Sequence, residues 1–121
     1  MRLSDAEWTV MEQVWRLGEA TARDVHDGAS PTTGWAYTTV KTMLDRLVEK
    51  GAVAARLDGN ALRFRALLSR DAARRSALRS LLDHAFGGSV APLLTFLAED
   101  GELSARERRA LRKLLDEESA T

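Results

Sequence analysis

Apolar residues recur along this chain at two periods, and the change of period divides it. Trp8, Met11 and Trp15 stand at helical spacing, with Val14 beside them. Ser4, followed three residues later by Glu7, opens that helix as a capping box, and Gly18 stops it. Thr21 is an N-cap for a short helix through Val25 to about Ala29, closed by a turn at Gly28-Ala29-Ser30-Pro31. The clearest pattern comes next. Val40, Met43, Leu44, Leu47 and Val48 form one apolar stripe on a helix from about Trp35 to Lys50, and Gly51 ends it.

From Val53 to Leu67 the helical period is lost. Two short stretches flank Asp58-Gly59-Asn60, a turn signal, and predict a two-stranded hairpin carrying Arg56, Arg63 and Arg65. Helical spacing then returns. Ser69 caps a helix to about Phe86, Gly87-Gly88-Ser89 interrupts it, and a shorter helix follows with Pro92 in its first turn. Asp100-Gly101 ends that helix, and Ser104 with Glu107 forms a second capping box before the last one. The order helix, helix, helix, hairpin is that of a winged helix-turn-helix. The predicted fold is therefore mainly α with a small β-hairpin: a winged helix domain over 1–68 and a C-terminal helical dimerisation domain over 69–121.

Charge sharpens this reading. The chain carries 18 basic and 18 acidic residues, so its formal net charge is zero. The middle segment from Ala36 to Ser80 nevertheless holds 10 basic and 4 acidic residues, a net of +6, and each flank nets −3. On charge alone, a nucleic-acid footprint and a set of solvated faces are both open. There is no cysteine, which excludes disulfides and thiolate metal sites. His26 and His84 lack partners at ligand spacing, and there is no phosphate loop or nucleophile elbow. The expectation is a non-enzyme without cofactor or metal. No apolar run spans a membrane and the N-terminus has no signal-peptide pattern, so the expected location is cytoplasmic.

The third helix needs one face for docking and one for DNA. At about 100° per residue, Thr38, Thr42, Asp45, Arg46 and Glu49 fall opposite the apolar stripe. Thr38, Thr39 and Thr42 sit near the N-terminal end, which commonly meets base edges, and Arg46 is long enough to reach a guanine or a phosphate. Tyr37 and Lys41 flank the groove as backbone contacts, together with Arg56, Arg63 and Arg65 on the wing. Asp45 and Glu49 are expected to pair with Arg46, Lys41 or a wing arginine. Arg70, Arg74, Arg75 and Arg79 on the next helix either face the duplex or solubilise a linker; both readings stay open.

These residues resemble a known family. Leu3-Ser4-Asp5-Ala6-Glu7-Trp8, Val10-Met11 and Trp15, the continuous run from Trp35 to Gly51, Gly87-Gly88-Ser89 and Leu103-Ser104 are similar to the penicillinase repressor family. The resemblance implies a winged helix domain followed by a helical domain that swaps helices with a partner copy, and operators with TACA and TGTA half-sites in dyad. It places the base-reading positions on Thr38, Thr39, Thr42 and Arg46. It also implies a link to a membrane sensor metallopeptidase or its downstream protease, with cleavage in the dimerisation domain. The matching bond is Thr95–Phe96, where the family has Asn before Phe.

Dimerisation follows physically as well. Leu78, Leu81, Leu82, Phe86, Leu93, Leu94, Leu97, Leu111, Leu114 and Leu115 are too many large apolar side chains for three short helices to bury in one copy. The expected function is a homodimeric, sequence-specific transcriptional repressor. The alternatives are a winged helix used only for protein interaction and a ligand-responsive regulator; the first would lack a basic, threonine-rich reading face, and no convergent polar pocket marks the second.

Overall fold

The computed structural model describes residues 1–99 and 103–119, except for the side chains of 114–119. It contains two compact units, Met1–Leu78 and Arg79–Thr121. In chain order the elements are α1 (Asp5–Leu17), β1 (Glu19–Thr21), α2 (Ala22–Thr33), α3 (Tyr37–Lys50), β2 (Val53–Asp58), β3 (Ala61–Ala66), α4 (Arg70–Ala85), α5 (Val90–Glu99) and α6 (Ala105–Ser119). The boundary between the units falls inside α4.

The capping signals hold. Ser4 Oγ accepts from the Glu7 N–H at 3.2 Å while the Glu7 carboxylate accepts from the Ser4 N–H at 2.8 Å. Thr21 and Asp24 make the same reciprocal pair at the start of α2, and Ser104 and Glu107 at the start of α6. Each pair satisfies donors that a helix start leaves open. Ser69 caps α4 through the Ala72 N–H.

Two expectations need correction. The second helix does not end near Ala29; it runs to Thr33 with Pro31 inside it. Pro31 removes a single donor close to the C-terminal end. The Thr32 and Thr33 hydroxyls bond the Ala29 carbonyl, and Gly34, in the left-handed region, closes the helix onto the Ser30 carbonyl. Gly28 is likewise no breaker. It lets α2 approach α1, where an added Cβ would fall 2.2 Å from Gln13 Oε1.

The sheet, moreover, has three strands rather than two, in the order β1-β3-β2. Glu19, Ala20 and Thr21 pair antiparallel with Arg65, Phe64 and Arg63. Buried Ala20 and Phe64 share the inner face. Three residues are too few to display a period of two, so β1 leaves no pattern in the sequence. The hairpin itself forms in the register Leu57 to Leu62, closed at Asp58 and Ala61.

The core of the first unit joins Val10, Met11 and Val14 of α1, Val25 of α2, Val40, Leu44 and Leu47 of α3, and Val53 and Phe64 of the sheet. Burial of such a side chain contributes about 1.5–3 kcal/mol. Trp15 packs partly buried on this core and donates its indole N–H to the Leu68 carbonyl at 2.9 Å, tying the end of the wing to α1.

In the second unit Leu82 is buried, Phe86, Leu93, Leu94, Leu97 and Leu111 are half-buried, and Leu81, Val90 and Phe96 are exposed. The Phe86 and Phe96 rings meet edge to face at 6.0 Å. Residues Asp100 and Gly101, expected to end α5, and the side chains of Leu114 and Leu115 lie outside the described residues.

Candidate nucleic-acid interface

The stripe Val40, Leu44 and Leu47 is completely buried, which leaves the opposite side of α3 turned outward. Thr38, Thr42, Asp45, Arg46 and Glu49 are all exposed there, and Thr39 is half-buried at the edge. Thr38, Thr39, Thr42 and Arg46 line one shallow hollow of about 280 Å³ together with Met43. Met43, read as part of the docking stripe, is therefore also a surface residue. Its position between Thr39 and Arg46 on the helix is the signal that could have found it.

The helix starts two residues later than its sequence pattern suggested. Trp35 and Ala36 are not helical, and Ala36 is an N-cap with no side-chain hydrogen bond. The first N–H groups of α3 are thus left for an outside acceptor, a favourable position for phosphate. The entry to the helix is held from behind instead. His26 Nε2 bonds the Trp35 carbonyl at 2.9 Å, and the Tyr37 ring lies between the Arg23 guanidinium, 5.1 Å away, and the His26 ring, 6.2 Å away. His26 Nδ1 lies 3.4 Å from the Asp27 carboxylate without a hydrogen bond to it. Histidine here is a packing residue that sets the approach to α3.

The other end of α3 is anchored to the start of α1. Lys50 donates to Glu7 Oε1 at 2.7 Å and to the Arg2 carbonyl at 3.0 Å. Burial works to raise the Glu7 pKa, but hydrogen bonds from Lys50 and Ser4 and the Lys50 charge outweigh it, and the pKa lies below its ordinary 4.5. A carboxyl with a depressed folded-state pKa stabilises the fold above its unfolded-state pKa, and that contribution is lost as pH falls through the folded value. Denaturant midpoints measured between pH 3 and pH 7 are expected to be flat above about 5 and to fall on the acid side. In Glu7→Gln the acid-side fall is expected to be shallower. A fall of unchanged steepness in that variant would remove Glu7 from the account.

Charges on the interface are partly satisfied. Of the two expected acidic partners, Asp45 pairs with Lys41 at 2.7 Å, and Glu49 has no partner among the described residues. The Lys41 ammonium also lies 5.8 Å from the Phe64 ring centre. On the sheet, Arg63, Arg65 and Arg56 occupy the face opposite Phe64. Arg56 is held by Glu19, whose carboxylate raises the already high pKa of the guanidinium, and Arg63 bonds Asp58 at 3.0 Å. Thr21, through backbone and side-chain hydrogen bonds, and then the Arg63 charge lower the Asp24 pKa. Arg46 and Arg65 have no ionic or hydrogen-bond partner among the described residues, so these two cations are available to a ligand without breaking a pair. The Thr42 hydroxyl donates to the Thr38 carbonyl at 2.9 Å, which leaves its methyl group and oxygen lone pairs for an incoming surface.

On α4, Arg70 stacks 5.3 Å from the Trp15 ring centre and bonds Glu12 at 2.9 Å. Arg74 and Arg79 lie near Asp71 and Asp83. Among the described residues no group of three or more His, Cys, Asp or Glu could hold a metal ion, and no single helix is long and apolar enough to cross a membrane.

Comparison with known proteins places this surface in context. The penicillinase repressor family matches residues 3–117. The transcriptional regulator BlaI of Mycobacterium tuberculosis (strain CDC 1551 / Oshkosh) is 36% identical over 119 residues, covering 96% of this chain and 84% of that protein. The penicillinase repressor of Bacillus licheniformis is 27% identical over 116 residues, covering 96% and 91%. Among solved structures, the monomeric form of Bacillus licheniformis BlaI in complex with the blaP half-operator superposes with a TM-score of 0.53 at 29% identity, over 60% of this chain and 88% of that one.

Proposed function

This chain belongs to the penicillinase repressor family and is a DNA-binding transcriptional repressor, and on that premise we propose that α3 enters the major groove as its reading element. Thr38, Thr39, Thr42 and Arg46 then face base edges, and Tyr37, Lys41, Arg56, Arg63 and Arg65 face the backbone. The observation that carries the proposal is the pairing of an exposed Arg46, without a partner among the described residues, with a threonine-lined hollow on a helix whose opposite stripe, Val40, Leu44 and Leu47, is buried. Arginine makes bidentate bonds to guanine, and threonine offers a hydroxyl to a base or a methyl to thymine.

The reading extends to a homodimer on dyad operators of the TACA/TGTA kind. Exposed Leu78, Leu81, Val90 and Phe96 support it, because a second copy would cover them. Release by a protease, under the control of a membrane sensor metallopeptidase, is the corresponding mode of induction. Thr95 and Phe96 are exposed on α5, so cutting between them requires that helix to open locally. A gel shift with promoter DNA of the chain's own operon, against unrelated duplex, tests the central claim. Equal affinity for both would contradict it.

The Lys41–Asp45 pair yields a further expectation. Lys41 reaches phosphate only by leaving a carboxylate 2.7 Å away. In Asp45→Asn, affinity for non-operator duplex is expected to rise about 2- to 5-fold, and the salt dependence to steepen by about one phosphate contact. Titrations at several salt concentrations check both numbers. A loss of binding would instead give Asp45 a direct contact, such as accepting from a cytosine amino group.

A further inference from the structure

Gly34, Trp35 and Ala36 alone join α2 to α3, and both backbone polar groups of Trp35 are tied back to α2. The Trp35 N–H donates to Thr33 Oγ1 at 3.2 Å, and the Trp35 carbonyl accepts from His26 Nε2 at 2.9 Å. The Trp35 side chain packs partly buried on the core. The carbonyl fixes the tautomer. It can only accept, so the proton of a neutral His26 sits on Nε2 and Nδ1 carries a lone pair. That lone pair is buried without a hydrogen-bond partner, and Asp27 Oδ1 lies 3.4 Å from it. In the neutral form, two acceptors face each other behind the entry to α3.

A second proton on the imidazole resolves this. On Nδ1 it turns an acceptor into a donor beside a carboxylate, and it makes the Nε2–H bond to Trp35 charge-assisted, hence shorter and stronger. Among the described residues, the groups that meet the imidazole or its ring partner are Asp27 and Arg23 of α2 and Tyr37 of α3. Arg23 opposes a second cation, but its guanidinium is engaged 5.1 Å from the Tyr37 ring centre, whereas the Asp27 carboxylate stands next to Nδ1. The remaining charge is the ligand's. Tyr37 is the first residue of α3, which starts without a side-chain cap, and its ring meets His26. A phosphate received at this helix start therefore lies close to the imidazole as well.

Resting on the major-groove reading of α3, we infer that His26 is a positioning residue whose proton is coupled to operator binding. The imidazolium holds the entry of α3 in its binding orientation, and the duplex favours that protonated form. Such coupling is reciprocal: if DNA draws the proton in, the protonated chain binds more tightly than the neutral one. Affinity then rises as pH falls through the range of about 8 to 5 in which histidine changes charge.

The test uses the full chain, which has two histidines, with a duplex carrying a TACA/TGTA dyad and an unrelated duplex of the same length. From pH 8 to pH 6 at constant salt, affinity for the dyad is expected to rise about 3- to 10-fold per bound chain. Calorimetry in buffers of different ionisation heat is expected to show uptake of about 0.3–0.5 proton per chain on binding near neutral pH. His26→Gln keeps an N–H for the Trp35 carbonyl and cannot take up a proton. It is expected to bind as the parent does at pH 8 and to lose both the rise and the uptake. His84→Gln, which alters a histidine bonded to the Ser80 carbonyl on α4, is expected to keep both. His26→Phe removes the bond as well and is expected to bind the dyad more weakly at every pH, with thermal unfolding checking that each variant is folded. A pH dependence that persists in His26→Gln, or one that vanishes in His84→Gln, would overturn the inference and leave the major-groove reading standing. Parent affinity that is level between pH 8 and pH 6 would overturn it as well. A parent chain that binds both duplexes equally would remove the reading and the inference together.

Discussion

Arg46→Ala is expected to lower affinity for the operator by about 10- to 100-fold and to leave affinity for unrelated duplex within about threefold. The asymmetry follows from what a guanidinium does in each complex. Against a guanine edge it makes two directed bonds that no other base pair reproduces, so losing it removes discrimination at that base pair. Against phosphate it makes a charge contact that every sequence offers, so losing it weakens all complexes together and flattens the salt slope by about one contact. Anisotropy titrations with the operator, with duplexes changed at single base pairs and with unrelated DNA distinguish the two. Arg46 is suited to this test because among the described residues it has no ionic or hydrogen-bond partner whose loss would disturb the fold. The buried side of α3, Val40, Leu44 and Leu47, is left intact. Uniform weakening across all duplexes would reassign Arg46 to the backbone, and the guanine contact would have to be sought elsewhere on α3.

The reading face of α3 was legible because a single amphipathic helix encodes both of its jobs in one period. Once the apolar stripe is known, the outward residues are known from geometry alone. Capping boxes were legible for a similar reason, since both partners lie three residues apart. Less accessible were contacts between residues far apart in sequence. Glu19 holds Arg56 and Lys50 reaches Glu7, and neither pairing leaves a local pattern. The second helix misled because glycine and proline were read by their average effect on isolated helices. In the folded protein Gly28 is where one helix approaches another, and Pro31 sits near the end of its helix, where threonine hydroxyls and Gly34 organise the last turn. Tertiary packing decided both.

The wing shows the same limit in its electrostatics. Composition makes Arg56, Arg63 and Arg65 equivalent. Structure separates them, because Glu19 and Asp58 engage two of the three. A count of basic residues thus overstates the positive charge this face offers to a duplex without breaking an internal ion pair.

Replacing Leu78 and Leu81 together by glutamate is expected to yield a monomer whose affinity for a dyad operator is lower by about 100-fold or more, with affinity for an isolated half-site little changed. These leucines are 46% and 47% exposed on α4, whereas Leu82 beside them is 1% exposed and belongs to the interior. The two substitutions therefore add charge to the outer side of the helix without opening a cavity beneath it. If a second copy covers that side, two carboxylates facing its apolar surface prevent association, because a buried charge without a partner is costly. In an isologous dimer the two reading helices meet half-sites a helical turn apart or a multiple of it. Once one half is bound, the other sees its site at an effective concentration on the order of millimolar. Losing the partner forfeits that gain on the dyad and forfeits nothing on a half-site. Sedimentation velocity reports the assembly, and parallel titrations of dyad and half-site duplexes report the avidity. A variant that remains dimeric moves the interface off α4. One that is monomeric yet binds the dyad undiminished removes dimerisation from the mechanism of repression.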